Sequence, residues 1–340
     1  MNIMTILGIE TSCDETSAAV ISGSQVLSNI IASQSEHLQF GGVVPELASR
    51  AHLRKIIPVY RAALQQAEIA LEQLDGIAVT FGPGLVGALL VGVNFVKGLS
   101  LSTGIPFIGV NHIEGHVYSN FLGDNRLKPP LLCLIVSGGH TQLVIIREHL
   151  HYRVVGSTRD DAVGEAFDKV AKLLGLPYPG GPEIDKLARE GNPDYVQFPV
   201  GLGKSKSFDF SYSGLKTAVL NHVQKLTDTE RKTHLADICA AFQKAAVTAL
   251  IDKTIRAART YQLTQIAVAG GVAANSLLRE MLKQHARKYH LTVYFPELRY
   301  CTDNAAMIAR AGLQRLKSGF RSALTLTAYP SLQLGEEKTD

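Results

Sequence analysis

Cysteine is scarce: Cys13, Cys133, Cys239 and Cys301 stand far apart, with no C-x-x-C spacing. This excludes a disulfide framework and a cysteine-based zinc site, and makes a reducing compartment the expectation. Neither sign of charge dominates. The 34 Lys and Arg against 30 Asp and Glu leave a formal +4, compatible with a nucleic-acid partner without demanding one. The longest apolar run, Gly84 to Val96, is interrupted by Asn94 and ends at Lys97; it is expected to be a buried helix, too short to span a bilayer. The N-terminus reaches Glu10, Asp14 and Glu15 with neither a basic nor a long apolar stretch, so no secretory signal is expected and the expected location is cytoplasmic. Low-complexity tracts are missing, and only the polar tail from Gly335 looks loose.

What is present points to an α/β enzyme. With 340 residues and 46% apolar content, the chain should divide into two lobes. Many of its 30 glycines sit in pairs after apolar runs, where strands give way to loops. Ile6 to Glu10, the polar bend Thr11 to Ser17 and Ala18 to Ile21 read as a hairpin. Leu131 to Val136, then Ser137-Gly138-Gly139-His140-Thr141-Gln142, then Leu143 to Ile146 repeat that plan. Two such hairpins imply a duplicated fold around a cleft, with residues 1–112 and 305–335 as the first lobe and 113–304 as the second. Helices are expected over Pro45 to Gln66 and Gly84 to Ser102, with strands at Ile77 to Thr80 and Ile105 to Val110. Ile266 to Ala269 leads through Gly270-Gly271-Val272-Ala273-Ala274-Asn275 into a helix from Ser276, a favoured seat for a phosphate or ribose.

His112 and His116 lie four apart, about 40° from each other on one face if the segment is helical, close enough to share a metal. A strand-end cap plus a surface histidine is the plainer reading. Glu114 is misplaced for H-E-x-x-H, which disfavours a zincin protease. Asp303 is either an ordinary helix cap or the carboxylate that completes a two-histidine site suited to Fe(II) or Zn(II). Ser137-Gly138-Gly139 offers a hydroxyl and unhindered amides, as phosphate loops require, though hairpin turns use the same residues. Ile135 occupies the position where a serine-hydrolase elbow needs glycine. Acids from Asp160 to Asp168 are expected in the first turns of a helix, leading to the rigid loop Gly175 to Pro182; Asp168 beside it is suited to ribose hydroxyls.

Together, Glu10 to Thr16, the histidine pair, Ser137 to Thr141, Gly164 to Lys169, Gly270 to Asn275 and Thr302 to Ala306 resemble the TsaD family from Ile6 to about Ala311. These are tRNA threonylcarbamoyladenosine transferases, on the two-lobed fold of actin, heat-shock chaperone ATPases and sugar kinases. The resemblance implies transfer of a threonylcarbamoyl group from threonylcarbamoyl-adenylate to the exocyclic amine of the adenosine beside the tRNA anticodon, releasing AMP. It implies His112, His116 and Asp303 as ligands of one divalent ion, Fe(II) ahead of Zn(II). It implies Ile135, Val136, Ser137, Gly138, Gly139, Asp168, Gly181, Asp185 and Asn275 as adenylate-binding positions. Phe208 to Gly214 also follows the family pattern, with Tyr212 where many relatives have Phe; the added hydroxyl is expected to matter little. Asp14 or Glu15, on the first bend, is expected to help receive the amine proton.

The implied partners are tRNA, an upstream threonylcarbamoyl-AMP synthase, a metal-lacking TsaB-like paralogue paired with the first lobe, and a small TsaE-like ATPase, with no membrane. The stretch Gly41 to Ala63 is the expected docking surface, since its apolar positions exceed one buried face. A kinase-like ATPase of the same fold and a non-catalytic nucleotide-binding scaffold are the rival readings. The histidine pair argues against the first, and the complete His112/His116/Asp303 set against the second.

Overall fold

The computed structural model describes residues 3–34, 42–123, 126–203 and 205–336. Two compact units emerge: Met1–Leu127 with Glu148–Tyr152 and Pro296–Asp340, and Lys128–Arg147 with Arg153–Phe295. Residues 113–127, 148–152 and 296–304, assigned to the second lobe from sequence, therefore fall in the first unit. The physical reason is a buried ion pair. Glu114, wholly inaccessible, meets the Arg315 guanidinium at 2.6 and 2.9 Å, and separating such a pair costs about 3–5 kcal/mol.

The first unit holds a five-stranded sheet in the order β3-β2-β1-β4-β5. Its strands are β1 (Thr5–Glu10), β2 (Glu15–Ser22), β3 (Gln25–Ser33), β4 (Gly76–Gly82) and β5 (Phe107–Asn111). β1 pairs antiparallel with β2 and parallel with β4. Being central, it is covered on both faces and reads as a nearly continuous apolar run. Leu7, Ile9, Ile77 and Val79 face a core shared with α1 (Pro45–Ala67) and α2 (Val86–Thr103). The opposite face meets α10 (Ala305–Lys317), whose approach is so close that a Cβ on Gly8 would run into the Ala305 carbonyl.

Two expectations need correction. β2 begins at Glu15, so Glu15, Thr16 and Ser17 are strand and the bend is only Thr11 to Asp14. α2 is not a fully buried helix: Ala88, Leu89, Gly92, Val93 and Val96 are buried while Val86, Leu90 and Leu101 are exposed. At 18 residues it has the length and composition of a membrane span, but its inner face packs on the sheet as a core helix does.

The second unit repeats the plan. Its sheet runs β10-β9-β6-β7-β8, built from β6 (Leu131–Val136), β7 (Thr141–Glu148), β8 (His151–Ser157), β9 (Gln265–Ala269) and β10 (Thr292–Tyr294). Here β6 is the central strand, antiparallel to β7 and parallel to β9. The duplication read from the two hairpins thus extends to the strand order. Helices α4 (Val163–Leu173), α5 (Gly180–Ala188), α6 (Ser213–Val223), α7 (Asp228–Thr233), α8 (Leu235–Thr260) and α9 (Ser276–Arg287) complete this unit.

Candidate functional site

In the first unit, β5 runs directly into α3 (His112–Tyr118), capped by Asn111, whose side chain accepts the amides of Ile113 and Glu114. This fixes His112 and His116 on one face, with ring centroids 4.7 Å apart. Asp303 reaches them from just before α10. Its Oδ1 lies 3.5 Å from His112 Nε2 and 3.2 Å from His116 Nε2. The cap of α10 is Asn304, which accepts the Met307 amide at 3.1 Å, so Asp303 is released from the capping role that sequence left open.

Three ligand atoms within 4.8 Å of one another could hold a metal ion. The fit is supported by His116, which is 1% exposed: neither ring nitrogen makes a well-aligned hydrogen bond among the described residues, although Nε2 lies 3.2 Å from Asp303 Oδ1, as two ligands of one ion would. Buried polar atoms are rarely left this way, and a metal would satisfy the Nε2. Two imidazoles and a carboxylate are a donor set for Fe(II) or Zn(II). Burial works against every charge here, but the partners win. The carboxylates of Asp303 and Glu10 hold His112 well above its ordinary pKa, and the two imidazoles hold Asp303 well below the usual carboxylate range.

The bend between β1 and β2 is built almost entirely of internal contacts. His52, from α1, is fully buried; its Nε2 donates to the Cys13 carbonyl at 2.9 Å and its Nδ1 accepts the Thr16 hydroxyl at 2.8 Å. The Leu85 amide donates to the Ser12 carbonyl at 2.8 Å. Burial, followed by the charges of Asp303 and Asp14, pushes the Glu15 carboxyl up to about 9. Burial likewise pushes the Cys13 thiol far up, so it is no nucleophile.

In the second unit, Ser137 and His140 close the β6–β7 turn through Ser137 N–H to the His140 carbonyl at 2.8 Å. Gly138 and Gly139 are exposed, and a Cβ on either would meet nothing within 4 Å. Around them the backbone is tight: a Cβ on Gly164 would lie 2.6 Å from the Ser137 carbonyl, and Gly270, at φ 94°, abuts the Val136 carbonyl. Asn275 caps α9 by accepting the Leu278 amide and donates to Gln243. Asp185 accepts the hydroxyl of Ser276 at 2.7 Å and its amide at 3.2 Å. Asp168 accepts the Gly180 amide at 2.8 Å, next to Gly181. Ile135 and Val136 are wholly buried strand residues, so their side chains only support the turn. Asp160 and Asp161 precede α4 rather than lying in it. Asp160 instead accepts the amides of Tyr212 and Ser213 at the start of α6, and Asp161 pairs with Lys169 and Lys216. The Tyr212 hydroxyl is buried without a hydrogen-bond partner among the described residues.

A profile of the TsaD family, described as tRNA N6-adenosine threonylcarbamoyltransferase, matches residues 25–310. The tRNA N6-adenosine threonylcarbamoyltransferase of Caldicellulosiruptor saccharolyticus is 52% identical over 337 residues, covering 98% of this chain and 100% of its own. That of Clostridium botulinum strain 657 is 53% identical over 335 residues, covering 98% of each. The chain belongs to the TsaD family. Among solved structures, T. kodakarensis HypF superposes with a TM-score of 0.64 at 14% identity, over 94% of this chain and 48% of HypF. That likeness speaks for the fold, the two-lobed actin-like α/β architecture.

As a TsaD chain it brings together what sequence could only juxtapose: His112, His116 and Asp303 in the first unit, and Asp185 beside the Asn275–Ser276 helix start in the second. Sequence reasoning gave no role to four polar residues in and around the first bend: Glu10, Ser12, His52 and Thr80. Glu10 carried the one available signal, a charge ending a strand that is otherwise apolar.

Proposed function

We propose that this chain transfers a threonylcarbamoyl group from threonylcarbamoyl-adenylate to N6 of the adenosine 3′ to the tRNA anticodon, releasing AMP. One N–C bond forms at the carbamoyl carbon, the C–O bond to the adenylate phosphate breaks, and N6 gives up a proton. The observation that carries this reading is the convergence of His112, His116 and Asp303 in a chain 52% identical, end to end, to transferases of that name. In the second unit, the amides of Gly138 and Gly139 and the Ser137 hydroxyl face the adenylate phosphate, while Asp168, Gly181, Asp185 and Asn275 hold its nucleoside. Ile135 and Val136 fix the turn from beneath. In the first unit, His112, His116 and Asp303 hold one divalent ion, Fe(II) first and Zn(II) second, which when bound supplies Lewis acidity worth several kcal/mol. Of Asp14 and Glu15, Asp14 receives the amine proton, because burial and the neighbouring carboxylates keep the Glu15 carboxyl protonated up to about pH 9.

The reading extends to partners: a synthase that makes the adenylate, a small ATPase, and a metal-lacking paralogue of the same fold. The paralogue docks on α1, whose outer face leaves Leu53 63% and Ile57 48% exposed; Gly41, the first residue of the expected surface, lies outside the described residues. Cytoplasmic tRNA is the substrate pool. The test supplies the metal-loaded chain and candidate partners with tRNA, threonine, bicarbonate and ATP, followed by nucleoside analysis. Threonylcarbamoyladenosine is the expected product. Its absence, with every partner present and the adenylate demonstrably formed, overturns the transferase reading in favour of a scaffold.

A further inference from the structure

Glu10 ends β1 with 1% of its surface exposed, where a lone carboxylate would be costly. Three donors satisfy it. The Ser12 amide donates to Oε1 at 2.5 Å, the Thr80 hydroxyl to Oε2 at 2.6 Å, and His112 Nδ1 lies 3.0 Å from Oε2. The first two come from the bend and from β4, neither can lose its hydrogen to the carboxylate, and together they pin it in one orientation. The third comes from a candidate metal ligand.

With Nδ1–H directed at Glu10, Nε2, the atom that faces Asp303, is the nitrogen that gives up its proton when a cation binds. The Ser12 hydroxyl, 3.1 Å from the same Nδ1, sits on the same side of the ring. His116 has no such support, since its Nδ1 is unpartnered among the described residues. A carboxylate behind a ligating histidine fixes tautomer and ring orientation and raises the basicity of the ligating nitrogen. We infer that Glu10, anchored by Thr80 and the Ser12 amide, is a positioning residue of the metal centre that commits His112 Nε2 to a divalent cation. This rests on reading His112, His116 and Asp303 as ligands.

Zn2+ alone, titrated into the metal-free full chain against a chromophoric chelator, tests this without any transferase assay. The Glu10→Gln variant should bind Zn2+ about 10–100-fold more weakly than wild type, and Thr80→Val, which loosens Glu10 while leaving its charge, several-fold more weakly. Nitrogen-15 NMR of the Zn2+-loaded wild type should show the one remaining His112 proton on Nδ1, an outcome a merely structural glutamate would not require. Wild-type affinity in folded Glu10→Gln overturns the inference. Should that variant fail to fold, a His112 proton on Nε2 in the Zn2+-loaded wild type, or Thr80→Val binding as tightly as wild type, overturns it instead. A wild-type chain that takes up no Zn2+ removes the ligand reading itself, whereas failed tRNA modification with intact Zn2+ binding leaves this inference standing.

Discussion

The bend after β1 and the turn after β6 occupy the same place in two copies of one strand plan, yet they are built in opposite ways. The first is filled with its own side chains: Glu10, Ser12, Thr16 and His52 satisfy one another, and Gly84, at φ 156°, lies so close that its Cβ would come within 2.6 Å of the Ser12 carbonyl. The second presents two exposed glycines, Gly138 and Gly139, with open space where a side chain would stand. A bend whose polar groups already have partners is suited to holding ligands of its own rigidly, as a metal centre requires. A turn of exposed glycines, where the backbone can be approached closely, is suited to receiving a phosphate.

The largest effect expected from breaking this contrast lies in the first bend's neighbours. Replacing His116 with Ala and Asp303 with Asn together should abolish metal retention and lower single-turnover transfer by about 10⁴-fold, the equivalent of several kcal/mol. Metal analysis and nucleoside counting check both parts, and retained transfer by a metal-free variant would remove the metal from the reaction. Next comes the acid pair. Asp14→Asn with Glu15→Gln should slow single-turnover transfer on the order of 10²-fold or more while leaving adenylate affinity unchanged. Unaltered single-turnover rates would refute a proton-accepting role.

How much of this was legible beforehand follows the range of the interactions. Both hairpins, both long helices of the first unit and the strand before Gly270 announce themselves through apolar runs and glycine punctuation, which are local signals. The start of β2 did not. Thr16 and Ser17 read as loop because they are polar, but Thr16 bonds His52 on α1, and the Ser17 hydroxyl accepts the Ala305 amide at 2.9 Å from the far end of the chain. The lobe boundary was misdrawn for the same reason, since Glu114 and Arg315 pair across that distance. Asp303 remained ambiguous between cap and ligand until Asn304 was seen to take the cap. The family motifs named the site residues, but nothing local to Glu10 announced that its carboxylate backs a histidine more than a hundred positions away.

Glycine substitutions sharpen the comparison at intermediate cost. Gly84→Ala, forced into a backbone conformation that L side chains rarely adopt and against the Ser12 carbonyl, should destabilise the fold by about 1–3 kcal/mol. Gly139→Ala, with nothing within 4 Å of the new Cβ, should leave the melting temperature nearly unchanged and weaken binding of an adenylate analogue instead. Calorimetry with and without the analogue separates the two. Equal destabilisation by both would mean that the second turn is as internally committed as the first.

The smallest effect concerns His52, the histidine that ties the first bend to α1. Burial holds its pKa below the ordinary value, against the opposing pull of the Cys13 carbonyl, so the folded protein keeps it neutral. The unfolded chain protonates it near pH 6.5. Below that value the unfolded state binds the extra proton first, so the stability His52 contributes is full above about pH 6.5 and drains away as pH falls toward the folded pKa. Wild-type stability should therefore decline more steeply between pH 7 and 5 than that of His52→Gln, in which no proton is taken up at this position. Parallel denaturation curves across that range would show that the bend does not depend on a neutral imidazole, and would weaken the case that its internal polar contacts set it apart from the open turn.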